Sequence, residues 1–265
     1  MMNFTFGITT YSDSPRDFTW RERIRMMCDS IRKQNIPNYE IIIAGGPFVS
    51  EGRHSLSLHN RPDIIHVPFD EEATPEIPHI SIEGNNVDLF YEQNNIKKGG
   101  WITKKKNLMV EKAQYDNMVI VHDYCALMPG WYEGQLKYKE EKGDDWDVQM
   151  NAIENIWGER SRDWVSWDNP KYGGIRTPMP YDDDSEDAMR YSYISGSYIY
   201  GKTEYFRNNP FPEECPWGSC EDLGWSLPLR GTWKYVMNPY SRVKFIKPKY
   251  IGDEPLDRPK EGMYP

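Results

Sequence analysis

The order of strand-like and helical patterns in the first 44 residues constrains the fold of this chain most strongly. The segment Asn3–Thr10 is rich in β-branched and aromatic residues and precedes a turn cluster, which predicts a strand. A helix is predicted next, because apolar residues recur at helical spacing in Ile24, Met27, Cys28 and Ile31. Tyr39–Ala44 is then a short apolar run typical of a buried parallel strand. Together they predict a βαβ unit with a right-handed crossover.

The same alternation continues along the chain. Further strands are predicted at Asp63–Pro68, Met118–Val121, Asp147–Ile153 and Tyr193–Tyr200. Helices are predicted from Lys97 onward, at Trp131–Glu141, at Lys202–Arg207 and at Cys220–Leu229. Residues 157–190 have no clear period and are interpreted as an ordered excursion beside a site, with a solvated acidic run at Asp182–Asp187. The pattern favours an α/β fold with a mostly parallel central sheet flanked by helices.

Length and composition favour one soluble globular domain. The chain has 265 residues, of which 38% are hydrophobic and 28% are charged. We expect a single domain at 1–247 and an extended or disordered proline-rich tail at 248–265. No apolar run is long enough to span a bilayer, and the first residues lack the pattern of a signal peptide. A cytoplasmic location is therefore expected.

The net charge bears on the class of partner. A formal charge of −9 argues against general nucleic-acid binding, which depends on clustered Lys and Arg. An anionic ligand would need a local group of basic residues.

Acidic residues occur at two positions that can carry chemistry. Asp123 follows the apolar strand Met118–Val121, and Glu221–Asp222 opens a predicted helix. Ligands of open α/β sheets bind at the carboxyl ends of the strands, so Asp123 is a candidate site residue. Asp222 has a simpler alternative, because a helix N-terminus favours an acidic residue through the helix dipole.

The spacing of several residues resembles the GT-A glycosyltransferases, which have a nucleotide-diphospho-sugar transferase fold, and especially the inverting family 2 enzymes. Lys106–Asn107, Ala113, His122 and Pro129–Gly130 hold the spacing that this family shows around its Asp-x-Asp motif. The resemblance runs in order from about Phe4 to Lys244. It implies a GT-A fold and transfer of a sugar from a nucleotide-sugar, with inversion.

The Asp-x-Asp triplet departs from the family pattern. Here it reads His122–Asp123–Tyr124, so Asp123 is its single carboxylate. The resemblance implies Mn²⁺ or Mg²⁺ as cofactor, with Asp123 as the metal ligand. Lys244 stands roughly where the family often has a late histidine ligand, and a lysine there could meet the diphosphate directly. We therefore expect metal dependence to be weak or absent.

The downstream acidic pair fits the family more closely. Glu221–Asp222, followed by Trp225–Ser226 and Arg230–Gly231, resembles the Glu-Asp-x-x-x-Ser-x-Arg segment of the family. The resemblance implies that Asp222 is the general base on the acceptor hydroxyl and that Glu221 assists it. A weaker similarity links Phe211–Pro212 and Trp217–Gly218 with the β-1,4-galactosyltransferases.

The remaining site residues follow from their positions within this resemblance. The expected donor-binding residues are Thr9, Thr10, Tyr11, Lys105, Lys106, Asn107, His122, Asp123, Tyr124 and Lys244. The expected acceptor-binding residues are Gly196, Ser197, Trp217 and Trp225. Packing alternatives remain open: the lysine run at 104–106 as a solvated helix face, Trp217 as a core residue and His122 as a core histidine.

These observations predict an inverting glycosyltransferase that uses a nucleotide-sugar, in particular a UDP-sugar, and a saccharide or glycoconjugate acceptor. One alternative is a carbohydrate-binding or scaffold protein of the same fold that has lost catalysis together with its Asp-x-Asp motif. A second is a sugar-phosphate nucleotidyltransferase. That class carries a Gly-rich, basic loop after the first strand, and Tyr11–Pro15 has no such loop.

Overall fold

The computed structural model of the protein describes residues 1–10, 18–45, 62–69, 81–82, 85–86, 101–172, 175–214, 221–247, 250–251 and 254–255. Its strands are β1 (Phe4–Thr9), β2 (Tyr39–Ala44), β3 (Ile64–Val67), β4 (Ser81–Ile82), β5 (Asn85–Asn86), β6 (Asn117–His122), β7 (Cys125–Leu127), β8 (Val148–Glu154), β9 (Val165–Trp167), β10 (Ile175–Pro178), β11 (Ser192–Tyr193), β12 (Tyr198–Lys202), β13 (Tyr235–Phe245), β14 (Tyr250–Ile251) and β15 (Glu254–Pro255). Its helices are α1 (Phe18–Arg32), α2 (Ile102–Lys112), α3 (Trp131–Lys142), α4 (Glu186–Tyr191), α5 (Thr203–Asn208) and α6 (Glu221–Leu229).

The predicted βαβ unit is confirmed. Strands β1 and β2 pair in parallel, and β3 extends the sheet in parallel on the far side of β2. The predicted inner face of α1 is fully buried at Ile24, Met27, Cys28 and Ile31. Burial of these side chains against the sheet, rather than helix propensity, holds α1 in place.

Strand β6 joins the free side of β1 and brings the candidate site with it. The two strands are parallel, with Thr9 opposite His122. Since parallel strands end at the same edge of the sheet, the residues that follow them, Thr10 and Asp123, become neighbours. The predicted start of α2 at Lys97–Gly100 lies outside the described residues, and the helix begins at Ile102.

The central sheet has eight strands in the order β3-β2-β1-β6-β12-β8-β13-β7. Strand β12 runs antiparallel to both of its neighbours, and the edge strand β7 runs antiparallel to β13. Strand β13 pairs with β8 in parallel, with a register shift between Asn238 and Arg242. The expected α/β class with a mostly parallel central sheet is confirmed.

The predicted continuous strand Tyr193–Tyr200 is wrong. Ser192–Tyr193 belong to a small three-stranded sheet of order β10-β9-β11, whereas Tyr198–Lys202 belong to the central sheet. The chain turns between them, and the backbone N–H of Tyr198 donates to the carbonyl of Ser195 at 3.2 Å. The Ser-Gly-Ser sequence at 195–197 permits this turn, and the turn lies at the candidate site.

The excursion at 157–190 is built from β9, β10 and α4. Its connection to the central sheet includes Asp163, which is fully buried and accepts hydrogen bonds from the N–H groups of Ile153 at 3.0 Å and Trp164 at 2.6 Å. Ser185, within the acidic run, caps α4 by accepting from the N–H of Ala188 at 3.1 Å. In the expected tail, β14 and β15 form an antiparallel pair.

A network of buried amide side chains, the amide network, connects α3 with β8 and β13. Asn151, on β8, is its centre, and its Oδ1 accepts from Trp131 Nε1 at 3.2 Å, from Gln135 Nε2 at 2.9 Å and from the Tyr198 hydroxyl. Asn238, beside the register shift in β13, donates to Gln135 Oε1 at 3.0 Å. Buried polar groups are costly unless they are hydrogen-bonded, and these bonds satisfy them.

Close packing of α3 against β13 depends on Gly134. A Cβ atom at this position would lie 2.5 Å from the carbonyl oxygen of Tyr240 and 2.6 Å from Ser241 Oγ. We expect Gly134→Ala to lower the free energy of unfolding by about 1–2 kcal/mol, because overpacking against backbone exceeds the gain in helix propensity. Urea denaturation would measure this change.

The matched control is Glu140→Ala, on an exposed position of the same helix. It should change the free energy of unfolding by no more than about 0.5 kcal/mol. If Gly134→Ala unfolds at the wild-type urea concentration or a higher one, the proposed steric conflict is contradicted.

Candidate functional site

Asp123 lies just beyond the carboxyl end of β6 and is 6% exposed. Its backbone N–H donates to the carbonyl of Thr9 at 3.1 Å, and its Oδ2 accepts from Thr10 Oγ1 at 2.9 Å. Arg23 Nη2, from α1, lies 3.4 Å from the same carboxylate oxygen. Burial raises the pKa of the Asp123 carboxyl above its ordinary value, although Arg23 and Lys247 oppose the rise.

Further cations lie close to Asp123. Lys105 is 1% exposed, and its Nζ donates to the backbone carbonyl of Thr10 at 2.9 Å. Lys247 Nζ lies 5.0 Å from the centre of the Tyr124 ring, and its charge acts on Asp123. Asp123 therefore lies among basic side chains contributed by α1, α2 and the segment after β13.

Lys247 was not among the residues predicted from the sequence, which pointed to Lys244. Lys244 lies within β13, paired with Ala126 on β7 and Glu154 on β8. Lys247 follows the end of this strand and lies over the Tyr124 ring. Lys247 is thus a further cation near the Asp-x-Asp position, three residues beyond the expected Lys244.

Tyr124 occupies the last position of the His-Asp-Tyr triplet and points into the protein. Its hydroxyl donates to Ser197 Oγ at 3.2 Å, and its ring packs against Phe245 at 5.6 Å and His122 at 5.2 Å between centroids. Burial raises the pKa of the Tyr124 hydroxyl well above its ordinary value. This side chain connects the end of β6 to the turn at 194–197.

The turn at 194–197 also contacts the second acidic site. The N–H of His122 donates to the Ser197 carbonyl at 3.0 Å, and the N–H of Gly196 donates to Asp222 Oδ2 at 3.2 Å. Two adjacent residues, Gly196 and Ser197, therefore connect the Asp222 carboxylate with the end of β6. The structure brings together the two acidic sites that the sequence analysis selected.

Glu221 and Asp222 open α6. Asp222 is half-exposed, and its Oδ1 accepts from the N–H of Leu223 at 2.9 Å. A Cβ atom on Gly196 would lie 2.9 Å from Glu221 Oε1 and 3.2 Å from Asp222 Cβ, so the pair packs directly on glycine backbone. This arrangement fixes the orientation of the Asp222 carboxylate.

Lys106 lies beside Glu221. It is fully buried, with its Nζ 3.6 Å from Glu221 Oε1 and 5.0 Å from the centre of the Phe211 ring. The solvated-face alternative therefore fails for Lys106, which instead links α2 to the start of α6.

The polar groups of two other predicted donor residues are engaged within the protein. Asn107 Nδ2 donates to the Phe211 carbonyl at 2.9 Å and to Glu213 Oε1 at 3.0 Å. Thr9 Oγ1 donates to the Val121 carbonyl at 3.2 Å. Both side chains position neighbouring segments of the site.

Trp225 is a packing residue in this structure. It is 3% exposed, its ring stacks on Phe211 at 4.8 Å between centroids, and its Nε1 donates to the Asn209 carbonyl at 2.8 Å. Its faces are covered, so we do not retain it in the acceptor site. The predicted residues Tyr11 and Trp217 lie outside the described residues.

The central sheet and its flanking helices form a GT-A fold, as in the solved structures that the chain resembles. The structure of S. aureus TarS 1-349 in complex with UDP-GlcNAc has a TM-score of 0.54 and 13% identity, over 96% of this chain and 61% of that one. The structure of GalNAc-T7 with UDP, GalNAc and Mn²⁺ has a TM-score of 0.59 and 12% identity, over 93% of this chain and 44% of that one. Both likenesses concern the fold.

Comparisons of sequence do not identify a family for this chain. No protein-family model matches the chain. The actin-like protein arp10 of Schizosaccharomyces pombe is 23% identical over 96 residues, which are 36% of this chain and 23% of that protein. The chain thus spans less than two thirds of the proteins named here. Within the described ranges, no helix has the length and apolar character required to cross a bilayer.

Proposed function

We propose that the protein is an inverting glycosyltransferase. It transfers a sugar from a nucleotide-sugar, in particular a UDP-sugar, to a hydroxyl group of a saccharide or glycoconjugate. Asp222 is the general base, and Glu221 assists in binding the acceptor.

The observation that carries this proposal is that the turn at 194–197 is hydrogen-bonded both to Asp222 and to the end of β6. Gly196 binds the Asp222 carboxylate through its N–H, while Ser197 binds the backbone of His122 and the hydroxyl of Tyr124. The turn thus joins the proposed base to the two residues that flank Asp123, which suits a reaction in which acceptor and donor meet beside this turn.

The chemistry follows from these positions. Asp222 takes the proton of the acceptor hydroxyl as its oxygen forms a bond to the anomeric carbon of the donor sugar. The bond from that carbon to the nucleotide diphosphate breaks on the opposite face, so the configuration inverts. The diphosphate leaves with the bonding electrons, and the cations around Asp123 stabilise its charge.

The choice of nucleotide is supported by the fold comparisons. TarS is described in complex with UDP-GlcNAc and with UDP, and GalNAc-T7 with UDP, GalNAc and Mn²⁺. We extend uridine diphosphate, but not a particular sugar, to this protein. Thr10, Lys105 and Asp123 are the proposed donor-side residues, and Gly196 and Ser197 line the acceptor side.

The nucleotide can be tested by ligand-induced thermal stabilisation. We expect UDP and UDP-sugars to raise the melting temperature, since a ligand present at about 100 times its Kd stabilises the native state by about 2.7 kcal/mol. CDP, GDP and their sugars should raise it less. Stabilisation by none of these nucleotides would contradict the proposed function.

The buried Tyr124 in place of a carboxylate favours a second candidate, a carbohydrate-binding protein of the same fold without transferase activity. Release of UDP from UDP-sugars in the absence of acceptor separates the two. Measurable hydrolysis supports the enzyme, whereas carbohydrate binding with no hydrolysis of any nucleotide-sugar supports the binding protein.

A further inference from the structure

The GT-A resemblance implies Mn²⁺ or Mg²⁺ at the His122–Asp123–Tyr124 triplet, and the described residues do not fit such an ion. Tyr124 directs its hydroxyl to Ser197, and the ring of the Tyr packs in the interior. No group of three or more His, Cys, Asp and Glu residues within the described ranges is arranged to hold a metal.

The surroundings of Asp123 also disfavour a divalent cation. Its Oδ2 already accepts from Thr10 and lies 3.4 Å from the Arg23 guanidinium. Lys247 adds a second positive charge that acts on the same carboxylate. A metal ion bound by Asp123 would meet two cations of its own sign, and its affinity would fall accordingly.

The same residues suit an anion. The Arg23 side chain is 17% exposed, and a guanidinium can donate two parallel hydrogen bonds to a phosphate group. Lys247, half-buried over the Tyr124 ring, supplies a compact charge from the segment after β13. Asp123, 3.4 Å from Arg23 Nη2, orients the guanidinium.

We propose that Arg23 and Lys247 form a metal-free diphosphate site, in which they bind the diphosphate of the nucleotide donor directly. The proposal rests on the proposed function for the identity of the donor. It assigns to two side chains of this chain the charge neutralisation that a metal would otherwise supply.

Calorimetric titration of UDP into the EDTA-treated full chain tests the site. We expect the Kd without metal and the Kd with Mn²⁺ to agree within about twofold, and the Kd to rise as NaCl is increased, because exposed charges are screened. Lys247→Gln and Arg23→Gln should each weaken UDP binding by about tenfold or more, because each removes one charge-assisted hydrogen bond to phosphate. Lys247→Arg should restore most of the affinity.

The matched control is Lys234→Gln, which removes an exposed lysine paired with Asp145 and should leave the Kd within about twofold of wild type. Thermal unfolding of each variant would show whether it is folded, and the salt dependence of the wild type tests the site without any substitution.

The outcomes separate the two proposals. UDP binding that requires Mn²⁺ would overturn the metal-free site while leaving the proposed function in place. Metal-free binding that is unchanged in both folded variants would also overturn the assignment to Arg23 and Lys247. No binding of any nucleoside diphosphate, with or without Mn²⁺, would instead contradict the proposed function.

Discussion

Asp222→Asn is expected to reduce the rate of sugar transfer by about a hundredfold to ten-thousandfold, the range of a general base. Asparagine retains the size of the side chain, and its single amide oxygen can accept one of the two hydrogen bonds that the Asp222 carboxylate accepts from the N–H groups of Gly196 and Leu223. It cannot take a proton from the acceptor hydroxyl. The loss should therefore appear in kcat, measured as release of UDP with saturating donor and acceptor.

The affinity for UDP separates this explanation from a general disturbance of the site. Asp222 is assigned to the acceptor side, so the variant should bind UDP as tightly as the wild type does. Asp187→Asn, which changes an exposed carboxylate at the start of α4, is the matched control and should transfer sugar at the wild-type rate. A wild-type kcat in Asp222→Asn would exclude Asp222 as the general base.

The largest loss of stability is expected at Asn151, the centre of the amide network. Asn151→Ala removes the acceptor of the buried Gln135 and Tyr198 side chains, whereas Trp131 Nε1 keeps the Tyr198 hydroxyl as an acceptor at 3.1 Å. A buried donor left unsatisfied costs about 1–3 kcal/mol, so for these two donors we expect the free energy of unfolding to fall by about 2 kcal/mol or more. Equilibrium denaturation in urea is the measurement.

The comparison variant is Asn208→Ala, an exposed asparagine that donates to Glu204 on α5. Its effect should stay within about 0.5 kcal/mol, as for most surface substitutions. A loss of less than about 1 kcal/mol in Asn151→Ala would mean that water or repacking satisfies the Gln135 and Tyr198 donors. The amide network would then contribute little to stability.

Local patterns predicted the first half of the sheet well. The strand at Tyr39–Ala44 has the predicted bounds, and the buried face of α1 is the apolar stripe read from Ile24 to Ile31. These elements are short, strongly periodic and bounded by turn residues, so the sequence within each element carries the signal. Asp123 could be located for the same reason, as the residue after an apolar strand.

Local sequence patterns do not predict strand β13. Pro239 lies inside it, and a proline in a run argues against a central strand. The register shift between Asn238 and Arg242 removes the conflict, and Asn238 takes part in the amide network beside it. The register shift and the hydrogen bonds of Asn238 depend on α3 and β8, which are distant in sequence. The sequence of β13 alone therefore does not predict them.

Two cations near Asp123, Arg23 and Lys247, were not predicted from the sequence for a related reason. Arg23 is one of several arginines in α1, and the packing of α1 against β7 selects it for contact with Asp123. Lys247 and Lys244 belong to one short basic stretch, and the end of β13 decides which of them lies over Tyr124. Both choices depend on contacts between elements that are distant in sequence, which local spacing does not specify.

The position of β12 has a consequence for synthesis of the chain. As the protein leaves the ribosome, β1, β2, β3 and β6 can pair first, since they all precede residue 123. The outer edge of β6 then presents unpaired N–H and C=O groups until Tyr198–Lys202 has been translated. Strand β8 also lacks both of its neighbours during this interval, because β12 and β13 both follow it in sequence. An open strand edge is a template for pairing with other chains, so the half-made protein passes through a stage in which it is prone to aggregate.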